Sequence, residues 1–116
     1  MGLTQSMYGI VRADLAGVVA EDCVREIRRW AHGHGFDLRG IECVYSDTSF
    51  PLLIATLRPS RITAVAVPSL IHVAGWVDAL RSEADVWTMH PLRCWPHRTA
   101  PPTNPNAAQP QRRRRE

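Results

Sequence analysis

At 116 residues the chain has room for a single domain with a small hydrophobic core. Its 45% apolar content is ordinary for a globular protein, and no apolar run approaches the ~18 residues a membrane span needs. Lysine is absent, which excludes a Schiff-base lysine and a P-loop lysine, and charge is unevenly placed: residues 1–96 carry nine arginines against ten acids, residues 97–116 five arginines against one.

In chain order, YGIVR (8–12) reads as a short strand running into a turn. The stretch 16–35 has apolar residues at Val19, Cys23, Ile27 and Trp30, with Glu21, Asp22, Arg25, Arg28 and Arg29 on the other side, which is helical spacing. Gly33 and Gly35 mark its end. LRGIECVYS (38–46) is rich in β-branched and aromatic residues and reads as a second strand. FPLLIATLRPS (50–60) is a short apolar helix, with Pro51 tolerated in its first turn and Pro59 stopping it. RITAVAVPS (61–69) is nearly continuous in apolar residues, as a strand buried on both faces should be. Helical spacing returns over 71–83 through Val73, Val77 and Leu80, and ADVWTMH (84–90) is the last strand.

This alternation predicts an α/β fold: a three-layer αβα domain with a four-stranded, mainly parallel sheet over residues 1–92. From residue 93 to 116 the chain is rich in Pro, Asn and Gln and is expected to be a disordered tail ending in Arg112, Arg113, Arg114 and Arg115. The N-terminus has no basic region followed by a hydrophobic stretch, so the expectation is a cytoplasmic protein with no membrane partner.

Cys23, Cys43 and Cys94 are odd in number and widely spaced, which predicts buried apolar thiols rather than a disulfide framework or a zinc site. His32 and His34 point apart on a helix, and His90, Cys94 and His97 lie in a proline-rich segment without a fourth ligand. No metal and no cofactor is expected. Ser46, Asp47, Ser49 and Ser69 read as loop-capping residues, and Trp76, Trp87 and Trp95 as packing residues.

Two stretches carry a family resemblance. YGIVRAD (8–14) resembles the opening strand of the serine recombinase (resolvase/invertase) catalytic domain, commonly Tyr-x-Arg-Val-Ser, and AVAVPSLIHVAG (64–75) stands where that family has a strand followed by Leu-Asp-Arg-Leu-x-Arg. The resemblance covers about residues 6–90 and implies a resolvase-like fold. It places Arg12 on the family's first-strand arginine and Asp14 on its nucleophilic serine. Ile71 stands for the family's aspartate, and His72 and Gly75 for its two arginines. Phosphoryl transfer depends on positive charge concentrated around the developing dianion, so the departures at Asp14, His72 and Gly75 imply a domain without recombinase activity.

The functional expectation is therefore a degenerate, shortened resolvase-like domain acting as a DNA-associated or regulatory accessory protein. Arg12 and the cluster Arg112–Arg115 are its candidate DNA contacts, since arginine clusters bind phosphates without sequence preference. Two other readings stay open. One is a protein-interaction module, homodimeric or heteromeric, using apolar residues near Trp76 and Trp95. The other is a small enzyme acting at the strand carboxyl ends through Asp14 and His72.

Overall fold

The computed structural model describes residues 4–98. Strand β1 spans Ser6–Arg12 and is followed by a single helical turn, α1, over Ala13–Ala16. A 3₁₀ turn at Gly17–Val19 leads into α2, Ala20–Gly33. Then come β2 (Asp37–Val44), α3 (Phe50–Leu57), β3 (Ala64–Val67), a 3₁₀ turn at Leu70–Val73, α4 (Val77–Arg81), β4 (Asp85–Met89) and β5 (Leu92–Trp95).

The strands form one sheet in the order β2-β1-β3-β4-β5. The first four are parallel neighbours, and β5 runs antiparallel to β4. The α/β class and the mainly parallel sheet agree with the sequence, but the expected count of four strands does not. Leu92–Trp95 falls on the expected boundary at residue 92 and pairs with Val86–Met89, so the sheet extends into the stretch assigned to the tail. The arginine cluster 112–115 lies outside the described residues. No helix among the described residues is long and apolar enough to cross a membrane.

Side-chain alternation along the strands divides the core in two. Met7 and Val11 of β1 and Ala64 and Ala66 of β3 pack with Ile27 and Ala31 of α2 on one face. Ile10, Val65, Val67 and Val86 pack with Phe50, Leu53 and Leu57 of α3 and Leu80 of α4 on the other. β3 is buried at every position, as its unbroken apolar run required. On α2, Ile27 and Ala31 are buried, Cys23 and Trp30 half-buried, and Glu21, Asp22, Arg25, Arg28 and Arg29 exposed, as the spacing expected, but Val19, expected on the same apolar face, precedes the helix and is exposed. Glu21 and Asp22 in its first turn complement the helix dipole, and Gly35, at φ +77°, supplies the left-handed residue past its end.

The helix expected over 71–83 is interrupted. Gly75 adopts φ +84°, and the chain makes a 3₁₀ turn, a kink and the five-residue α4 instead. His72 lies in the 3₁₀ turn that precedes this break. The cysteines also depart from expectation: Cys43 is exposed, and Cys23 and Cys94 are only half-buried.

Candidate functional site at the carboxyl ends of β1 and β3

The chain leaves β1 toward β2 on one side and later returns to place β3 on the other. That reversal is a topological switch point, where open α/β sheets characteristically leave a crevice at the strand carboxyl ends. Arg12 ends β1 there, and His72 sits in the turn that follows β3.

The structure brings Arg12, Asp14 and His72 together. The Arg12 guanidinium donates two hydrogen bonds to Asp14, Nε to Oδ1 at 2.9 Å and Nη2 to Oδ2 at 2.7 Å. Such a fork-to-carboxylate pair is among the stronger side-chain contacts. The Arg12 backbone N–H donates to Nδ1 of His72 at 2.9 Å, across 60 residues of sequence. Since Nδ1 accepts, the neutral His72 ring carries its proton on Nε2. His72 is 6% exposed, one of two polar residues that are buried among the described residues.

The electrostatics follow from these contacts. The hydrogen bonds from Arg12 hold the Asp14 carboxyl below its ordinary value, more than its partial burial raises it. The same bonds raise Arg12, with Asp47 adding a weaker pull. Burial lowers the His72 imidazole, the Arg12 charge lowers it further, and Asp14 opposes both. A general acid or base works best with a pKa near the ambient pH. Asp14 and His72 are both displaced downward, Asp14 is paired, and His72 Nδ1 is engaged.

The remaining sequence candidates fall into two groups. Asp47 joins the site, its Oδ2 accepting the Trp76 indole N–H at 2.8 Å, while Trp76 packs edge-on against Phe50 at 5.8 Å. Sequence reasoning missed this link, because nothing in either segment announces a partner 29 residues away. Ser46 accepts the Thr48 N–H, a local loop contact. The Ser69 carbonyl accepts the His72 N–H at 3.1 Å, a backbone bond.

The other group lies elsewhere. His34 stacks on Trp30 at 4.6 Å, His90 contacts Glu26 at 2.7 Å, and His97 contacts the Ser82 carbonyl. Among the described residues no group of three or more His, Cys, Asp or Glu could hold a metal ion. Trp76 and Trp95 are half-buried against the core, and Trp95 carries the Arg93 guanidinium 4.1 Å above its ring. Among the described residues the exposed large apolar side chains are instead Leu15, Val18, Val19, Tyr45, Leu52, Ile71 and Leu92.

No family model matches the chain, and neither a curated protein nor a solved structure does.

Proposed function

We propose that this protein is a resolvase-like domain without recombinase activity, acting as a DNA-associated or regulatory accessory protein. The observation that carries this reading is the closed Arg12–Asp14 pair. At the position where the resemblance expects a serine nucleophile stands a carboxylate, and it occupies the arginine that would otherwise face phosphate. His72, in the place of a second arginine, is neutral and turned onto the backbone. The anion site of the resemblance is thus satisfied internally. Nucleic-acid contact then falls mainly to the arginine cluster 112–115, whose charge suits weak, sequence-independent binding.

The test is anisotropy of fluorescent duplex DNA with the full chain at about 50 mM and about 200 mM salt, where phosphate contacts lose affinity steeply. A denaturing gel of the same mixture reads any covalent protein–DNA species. The expected result is salt-sensitive binding, abolished when Arg112–Arg115 are replaced by serine, with no covalent species. A covalent adduct overturns the loss of activity, and absence of binding at low salt overturns the association with DNA.

A second reading, a protein-interaction module, is favoured by one observation. Leu15, Val18 and Val19 follow β1, Tyr45 follows β2 and Ile71 follows β3, so exposed apolar side chains stand in all three connections leaving those carboxyl ends. Sedimentation of the full chain without DNA separates the readings, since a stable dimer weakened by Val18→Glu supports this one.

A further inference from the structure

On the α3 face of the sheet lies a groove of about 340 Å³. It forms because β2 is an edge strand and the eight-residue α3 leaves part of that edge uncovered. Its floor is the Tyr8 ring, which lies over Gly40, the residue paired with it on β2. A Cβ at residue 40 would stand 3.1 Å from Tyr8 Cε1, so glycine there lets the ring lie against the strand. Leu52, Leu53, Leu57 and Ile62 form the apolar wall. A volume above about 300 Å³ with mostly apolar walls and a few placed polar groups suits a small molecule.

Two polar features lack a counterpart. Glu42 is the one charged residue lining the groove. It accepts a hydrogen bond from the Tyr8 hydroxyl at 3.3 Å, and among the described residues it forms no ion pair. Ser49 Oγ, also in the lining, is buried without a hydrogen-bond partner among the described residues. A carboxylate in a mostly apolar groove gains from a cation, and a buried hydroxyl without a partner gains from an N–H donor.

We propose that this groove binds a small organic ammonium, a molecule with an apolar body and one cationic head, with Glu42 as the anchor of the head and Ser49 Oγ as an acceptor. The apolar body lies on Tyr8 and the leucine wall. Tyr8 serves as a positioning residue. Burial, and then the Glu42 charge, hold its phenol protonated, so its hydroxyl donates to one carboxylate oxygen and leaves the other for the ligand. Anionic ligands are repelled by Glu42, and neutral ones leave its charge uncompensated. This site is independent of the DNA reading, because none of its residues belongs to the Arg12–Asp14–His72 cluster.

The experiment is a titration of the ¹⁵N-labelled full chain with 2-phenylethylamine, 2-phenylethanol and 3-phenylpropionate, read by amide shifts. The amine is expected to give saturable shifts at Tyr8, Glu42, Ser49 and Thr56, with the alcohol about tenfold weaker or more and the carboxylate inert. Glu42→Gln is expected to reduce the amine to the level of the alcohol, with the dispersed spectrum of the folded chain as its control. Equal binding of amine and alcohol to the native chain overturns the proposal, whatever the fate of the variant. So do shifts that fail to saturate or that scatter over the surface.

Discussion

Nδ1 of His72 accepts the backbone N–H of Arg12, joining the end of β1 to the turn after β3 in a bond that only the neutral ring can make. Burial and the neighbouring Arg12 charge both favour that neutral form, outweighing Asp14. The folded pKa is thus depressed below 6.5, and the unfolded chain takes up the proton first as pH falls. The stabilisation is fully present above the unfolded pKa and is lost as pH descends through the folded one. The urea midpoint is therefore expected to be higher at pH 7.5 than at pH 5.5. His72→Leu should cost about 1 kcal/mol, for an orphaned, partly buried N–H, and should flatten that dependence. An equally steep dependence in the variant would assign the titration to another group.

Asp14 governs how much of the Arg12 charge is available. Its carboxyl is held low chiefly by the hydrogen bonds from Arg12, so it stays ionised at neutral pH and keeps the guanidinium occupied. Asp14→Asn keeps the shape and removes the charge. Duplex-DNA affinity is then expected to rise and its log–log salt slope to steepen by about one, the signature of one more phosphate contact. Adding Arg12→Ala should cancel the gain. If Asp14→Asn leaves affinity and slope unchanged, Arg12 does not face DNA. Asp14→Ser is expected to yield no cleavage, because His72 and Gly75 still stand where the resemblance places arginines.

The first four strands and the packed face of α2 were legible because burial imposes a period of two on a strand and of 3.6 on a helix. The pairing of Arg12 with Asp14 is also a local contact, two residues apart at a strand end. β5 was not legible. Its four residues follow Pro91 and precede Pro96, half of them are exposed, and what makes them a strand is pairing with β4. The break in the 71–83 helix rests on one residue, Gly75, which a periodic pattern tolerates but the backbone uses at positive φ. The contact of His72 with Arg12 and that of Trp76 with Asp47 depend on which strands become neighbours, information that no single segment carries.

Arg61 offers a stabilising change. It is the one non-glycine residue at positive φ among the described residues, at 60°, where the chain leaves α3. Its N–H donates to the Arg58 carbonyl at 3.0 Å, and the next N–H, of Ile62, donates to Leu57 at 2.9 Å, closing the helix end. Glycine favours this left-handed position at a helix terminus. Arg61 makes no ion pair among the described residues. Arg61→Gly is expected to raise stability by about 0.5–1 kcal/mol, the cost of the left-handed form less the added freedom of the unfolded chain. Chemical denaturation measures this, and a loss of stability would mean that the arginine side chain contributes more than its backbone costs.

Gly9 tests the packing beneath the site. It lies in β1, between the edge strand and β3, on the face covered by α2. A Cβ there would come 2.8 Å from Ile41 Cγ1, 3.3 Å from Ile41 Cγ2 and 3.4 Å from Ile27 Cγ2. The Ile41 atoms belong to its branch, close to the backbone of a paired strand, so they cannot swing clear as the end of a long side chain could. Overpacking of this kind typically costs about 1–3 kcal/mol, against which alanine recovers about 0.5–1 kcal/mol over glycine in a strand interior. Gly9→Ala is thus expected to be net destabilising. Ile41→Ala should relieve it, the double variant losing less than the sum of the two single losses by at least about 1 kcal/mol. Simple additivity would mean that the sheet shifts to accept the methyl group, and that the approach of Ile41 to β1 is not what demands glycine.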